Sequence, residues 1–176
     1  FIILFILSSI NLIAEINNLS LILFCMSSII LVFIFFNFPN AKFFLGDSGA
    51  YLIGSLIAVS TVITSINNPT ISPFFFCILL FYLFFEVFFS FFRKLLITRQ
   101  SPLFPDNQHL HMRVYKFLLK KNYSKTKANY STSIYINFAY LILIFPSIIL
   151  LENFLFCKYY FVFLLIVYIY FYKKTK

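Results

Sequence analysis

Long apolar stretches alternate with short polar ones along this chain. Six apolar segments stand out, at about 1–14, 19–36, 49–66, 73–92, 133–151 and 154–172. A helix needs roughly 20 mainly apolar residues to cross a bilayer, and most of these segments approach that length. The polar connections fall at 15–18, 37–48, 67–72, 93–132 and 152–153, with a basic tail at 173–176. The pattern predicts an all-α integral membrane protein, a polytopic bundle with about six spans. It forms a single transmembrane domain over residues 1–176, with cytoplasmic loops at about 37–48 and 93–132. Ser72-Pro73 is a good helix start, with Ser as cap and Pro in the first helical position. Ala50, Gly54 and Ala58, spaced by four, form a small-residue stripe that reads as a helix-packing face.

Composition removes the soluble alternative. Hydrophobic residues make up 62% of the chain and charged residues 11%, whereas a soluble domain is about a quarter charged. The net charge is +9, which in a soluble protein would suggest nucleic acid. Its distribution argues for membrane topology instead, with no nucleic-acid partner. Six spans put 37–48, 93–132 and the tail on one side, and that side receives 13 of the 14 basic residues, all but Lys158. Glu15 and Glu152 fall on the other side. Basic residues mark the cytoplasmic face. Cys25, Cys77 and Cys157 each lie in an apolar run with no CxxC or Cys/His grouping, so they read as packing residues. The chain opens on Phe1 inside an apolar run, without signal-peptide features. It is therefore expected to be the C-terminal part of a longer protein.

Three polar clusters on the basic side carry candidate chemistry. In the first, Asp47 lies where the chain enters the third segment, near the positive end of a helix dipole. Two readings stand there: a helix cap, or a magnesium ligand beside substrate phosphates that Lys42 also faces. The second is Glu86, an acid within an apolar span about 10 Å from its cytoplasmic end. Such a charge faces a bundle interior or a wet cavity, either in a functional role or as a structural partner. The third is the loop from Ser101 to Arg113, in which Pro102 and Pro105 set a turn. His109 and His111 do not share a helical face, but in an extended turn they flank one group. No further Cys or His accompanies them to complete a zinc site. Asp106 and Arg113 favour an anion- or diphosphate-binding loop.

Together these stretches resemble one family. Phe38-Pro39-Asn40-Ala41-Lys42-Phe43-Phe44-Leu45-Gly46-Asp47-Ser48-Gly49 is similar to the FP-x-AK-x-FLGD-x-G loop of the polyprenyl-phosphate N-acetylhexosamine-1-phosphate transferases, bacterial glycosyltransferase family 4. Tyr82 to Lys94 resembles that family's YP-x-x-E-x-x-FS-x-x-RK span, with Leu83 in place of its proline. Ser101 to Met112 resembles its SP-x-x-PD-x-x-HLH-[HM] loop. The resemblance implies transfer of a sugar-1-phosphate from a UDP-sugar to undecaprenyl phosphate, with Mg2+ (or Mn2+ in its place) as cofactor. Polyprenyl phosphate, UDP-sugar and membrane lipids are the partners it implies, and a homodimer stays open. It places the protein in a bacterial inner membrane with its active face cytoplasmic, starting an envelope glycan such as lipopolysaccharide O-antigen or teichoic acid.

By the resemblance Asp47 is catalytic and a metal ligand. His109 and His111 bind the nucleotide-sugar diphosphate. Lys42, Asp106 and Arg113 line or support the site, and Glu86 matches a characteristic acid without an assigned role. The family's acidic DD motif and its N-x-x-DG-x-DGL loop have no counterpart here. Two rival readings are a catalytically inactive truncated remnant and a transporter subunit built around Glu86.

Overall fold

The computed structural model describes residues 1–99, 101, 106 and 108–175, and at Ile97 and Thr98 the backbone alone. The turn expected at Pro102 and Pro105, and Lys176 of the tail, lie outside the described residues. Among the described residues eight α-helices follow one another: α1 Ile2–Ile13, α2 Asn17–Asn37, α3 Gly46–Asn67, α4 Pro73–Leu79, α5 Phe81–Phe92, α6 Leu110–Lys120, α7 Lys125–Ile149 and α8 Phe154–Lys174. A π-helical turn, Arg93–Thr98, continues α5. No strand occurs among the described residues.

Each apolar segment is helical, but the count of spans changes. Four helices, α2, α3, α7 and α8, are long and apolar enough to cross a membrane, and a fifth span arises only if α4 and α5 act as one. Those two meet at a 74° bend. The sixth expected span, α1, has 12 residues, about 18 Å at 1.5 Å per residue, against a hydrocarbon core of ~30 Å. This is a polytopic helical membrane protein, with four to five helices long enough to cross among the described residues. The long polar stretch is also more ordered than a loop. It contains α6, and α7 begins at Lys125, well before the expected 133.

The short helix α4 is the hub. Its Phe75, Ile78 and Leu79 are fully buried, and it packs against α3, α7 and α8. Pro73 opens it, and Ser72 anchors its start by donating its backbone N–H to Leu151 O at 2.9 Å. At the other side α1 packs on α2 through Leu4 and Leu7. Two reciprocal bonds join these helices: Ser8 Oγ donates to Ser20 O and Ser20 Oγ to Ser8 O, both at 2.9 Å. Asn11 Nδ2 donates to Thr64 Oγ1 at 2.7 Å, tying α1 to α3. Inside an apolar bundle such hydroxyl and amide contacts take the place of the hydrophobic force that lipid cannot supply.

The buried face of α3 is Ser60, Thr61 and Thr64. The small stripe of Ala50, Gly54 and Ala58 is exposed, so within this chain it does not serve as the expected packing face. Cys157 is buried, whereas Cys25 and Cys77 are exposed.

The polar ends converge. Phe38, in the connection after α2, packs edge-to-face on Tyr130 near the start of α7, 6.2 Å between ring centroids. The far end of α8 reaches α6, where the Arg113 guanidinium lies 4.0 Å from the Tyr172 ring centroid. The three clusters expected on one face therefore share one end of the bundle.

Candidate functional site

The site begins with spacing on α5. Glu86, Ser90 and Arg93 are four and three residues apart, so all three project from one helical face. All three are buried. A buried carboxylate and guanidinium need partners, and the segment after the π-helical turn supplies them.

Asp106 folds back onto this face. Its Oδ2 accepts from Ser90 Oγ and, at 2.5 Å, from Arg93 Nη2. Its Oδ1 accepts the Gln108 backbone N–H at 2.9 Å, the self-closing turn typical of aspartate. Arg93 Nη1 donates to Gln108 Oε1 at 3.2 Å. The Arg93 and Asp106 side chains are each 7% exposed. Burial works to raise the Asp106 pKa. The bonds from Ser90, Arg93 and the Gln108 N–H, with the Arg93 charge, outweigh it and hold the carboxyl at about 2.

Glu86 takes the next stretch of chain. Its Oε1 accepts the Leu110 N–H at 2.6 Å, at the N-terminus of α6, and its Oε2 accepts from Tyr168 Oη of α8 at 2.7 Å. A carboxylate there satisfies one of the free amides of the helix start and complements its dipole. Both histidines then gather on the same oxygen. His109 Nδ1 is 3.2 Å and His111 Nδ1 3.8 Å from Oε1. The buried His109 Nδ1 makes no hydrogen bond, so its link to Glu86 is the proximity of charge alone. The two rings stack at 5.6 Å with an interplanar angle of 9°.

Residues i and i+2 share this side because His109 is the extended N-cap of α6 (φ −58°, ψ 152°), so the pair straddles the step from extended chain to helix. Burial pushes the His111 pKa down; Glu86 opposes this and His109 adds to it. His109 Nε2 faces Asp106 Oδ2 at 4.0 Å.

The sequence-derived residues thus separate into two groups. Glu86, Asp106, His109 and His111 form one cluster. Arg113 stands apart from it, stacked on Tyr172 and pinning α6 to α8. Lys42 and Asp47 are exposed and make no hydrogen bond or ion pair with a described residue. The capping reading of Asp47 fails: it lies inside the first turn of α3, whose N-cap is Leu45 with no side-chain cap.

Sequence reasoning left Ser90, Arg93, Gln108 and Tyr168 out of the site. The 86-90-93 spacing on one helical face was a readable signal for the first two. Nothing local marks Tyr168, whose partner is 82 residues away.

Asp47 also bears on a metal. Among the described residues no group of three or more His, Cys, Asp or Glu forms a metal cage. Magnesium does not require one, since it binds through one or two carboxylates plus waters and substrate phosphates. An exposed, unpaired carboxylate at a helix start fits that habit. Gly46, just before it, has φ +72° with open space around it. Gly46→Ala is expected to cost about 1–2 kcal/mol of backbone strain without a clash. A lower detergent melting temperature would show it, and an unchanged one would count against it.

Two cavities adjoin these residues. An apolar one of 240 Å³, lined among others by Phe81, Tyr82, Val114, Tyr140 and Leu143, reaches the Glu86 cluster through Leu110 and Tyr168, which also line it. A wider cleft of 710 Å³ separates α1 and α2 from α7, where Asn129, Ser133 and Asn137 give it a polar wall.

A helical membrane bundle with buried ionic residues and two histidines gathered at one end is the class of protein this fold and site define. Residues 1–65 match the family model of glycosyl transferase family 4. The chain is also 34% identical over 82 residues to an undecaprenyl-phosphate alpha-N-acetylglucosaminyl 1-phosphate transferase from Thermotoga maritima. That alignment covers 47% of this chain and 26% of the relative. No solved structure matches the chain.

Proposed function

We propose that this chain contributes the donor-binding end of a transferase that moves N-acetylhexosamine 1-phosphate from a UDP-sugar to undecaprenyl phosphate, at the cytoplasmic face of a bacterial inner membrane. The observation that carries this reading is the junction at Leu110 and Tyr168. There a cluster of histidines and buried ionic groups abuts an apolar cavity. A soluble anionic donor and a lipid acceptor have to meet at such a boundary. The relative's printed activity and the family match point the same way.

In the reaction a phosphate oxygen of the lipid bonds to the β-phosphorus of the donor. The bond from that phosphorus to the bridging oxygen breaks, and UMP leaves with the electron pair. Such a transfer needs positioning and charge neutralisation more than covalent help from the protein. His109 and His111 hold the diphosphate, and Lys42 draws phosphate oxygens toward the start of α3. Asp47 is the residue that would hold magnesium, which when bound neutralises diphosphate charge. The first isoprene units of the acceptor lie in the apolar cavity. The product begins an envelope glycan.

The test is transfer of label from UDP-N-acetylglucosamine to undecaprenyl phosphate in detergent, with and without magnesium. It uses this chain and any longer polypeptide its gene encodes. Magnesium-dependent formation of labelled lipid and an equal amount of UMP is the expected result. No transfer from any of a panel of UDP-hexosamines would overturn the proposal.

A further inference from the structure

We infer that Glu86, held by Tyr168, is a positioning residue that sets which nitrogen of each histidine faces a ligand. The inference rests on the proposed transferase only for the identity of that ligand. Five observations converge on the carboxylate. It is buried. One oxygen takes the first amide of α6 and the other the Tyr168 hydroxyl, at 2.6 and 2.7 Å. Both Nδ1 atoms lie on the side of the first oxygen, at 3.2 and 3.8 Å. The two rings stack with an interplanar angle of 9°, and with each Nδ1 turned to Glu86 it is Nε2 that is left to face elsewhere. Tyr168 is itself fixed by rings on α5, with Phe85 and Phe89 edge-on at 4.9 and 5.4 Å.

The chemistry follows from where the proton must sit. A carboxylate on the Nδ1 side favours N–H at Nδ1, since the alternative sets a nitrogen lone pair against a carboxylate. The partner of one ring nitrogen decides the state of the other. Nε2 then carries the lone pair in the neutral ring and the second N–H in the charged one. His109 Nε2 is partly engaged by Asp106 at 4.0 Å. The half-exposed His111 is therefore the ring whose Nε2 is open to a phosphate oxygen, to which it donates when the ring is protonated. Glu86 also fills the helix start that would otherwise attract an anion, which directs the ligand to the imidazoles and away from the α6 amides. Its burial deep in α5 leaves it no contact with the ligand.

The chain has only two histidines, so a 15N-histidine-labelled sample has only two imidazoles to read. In detergent at about pH 8.5, roughly two units above the ordinary histidine pKa, both are expected as the Nδ1–H form. Glu86→Gln removes the charge and leaves one acceptor oxygen where there were two. It is expected to move the Nε2 signals toward the N–H range that free histidine favours. Tyr168→Phe keeps the ring packing and loses only the hydroxyl, so it guards against a folding artefact and is expected to give a mixture of the two forms. Wild-type tautomers in both variants would overturn the inference, as would an Nε2–H form in the wild type.

Activity separates this inference from the reading beneath it. In an active enzyme Glu86→Gln is expected to lower kcat/KM by about 100-fold, the scale of an ångström of misplacement, with an unchanged melting temperature. Expected tautomers in a protein that transfers no sugar phosphate would support the positioning role and refute the transferase. Full activity with unchanged tautomers in both variants would do the reverse.

Discussion

Asp47→Asn is expected to leave the bundle folded and to reduce sugar-phosphate transfer by about 100–1,000-fold, the scale seen when one charge-stabilising group is removed from an active site. The structure separates the two effects. Asp47 is exposed and makes no hydrogen bond or ion pair with a described residue, so folding loses only its interaction with the dipole of α3, no more than about 1 kcal/mol. Its carboxylate is thus free to serve a metal or substrate. The measurement pairs the radiolabel assay at several magnesium concentrations with a detergent melting curve. Lost transfer with a retained melting temperature is the expected outcome. Undiminished transfer at every magnesium concentration would remove Asp47 from the site.

The second large effect concerns Arg93. Arg93→Ala is expected to destabilise the segment around Asp106 and α6 by about 3 kcal/mol, because truncating one member of a buried pair strands the other charge. Among the described residues Asp106 would keep hydrogen bonds from the Ser90 hydroxyl and the Gln108 amide. Gln108 Oε1 would lose its donor as well. The same pair gives the wild type a defined acid response. The folded carboxyl lies at about 2, below its ordinary 3.8. Its stabilising contribution is therefore fully present above the ordinary value and is lost as pH falls from there toward 2. Hydrogen exchange at the α6 amides reads both effects. Faster exchange is expected in the variant, and the acid-induced loss of protection expected in the wild type should be blunted in it. Equal protection in the two proteins would contradict the buried pair.

The sequence carried the architecture in outline because apolar length and charge asymmetry are local properties of a chain in a bilayer. α2, α3 and α8 begin and end close to where the apolar pattern set them. The loop before α3 and the histidine loop were recognisable because their residues are contiguous. The number of full crossings was harder to read. Hydropathy does not reveal that α4 and α5 meet at 74°. α6 escaped because its apolar positions, Leu110, Val114, Phe117 and Leu118 among them, are interspersed with basic ones, a helical rather than a continuous pattern. Arg113 was expected at an anion and lies on Tyr172 instead, since a guanidinium suits an aromatic face as well as an oxyanion.

The amino-acid sequence alone thus made the chain a helical membrane protein and marked Lys42, Asp47, Glu86, Asp106, His109 and His111 as candidates for chemistry. Only the tertiary structure decided who meets whom. It put Asp106 on Arg93 and Ser90, gave both oxygens of Glu86 to α6 and α8, turned both histidines toward one carboxylate, and left Asp47 without a partner among the described residues. The physical reason is that a buried charge must be satisfied by groups brought from elsewhere in the chain. Tyr168 and Glu86 are 82 residues apart, and no local pattern of polar and apolar positions records such a pairing.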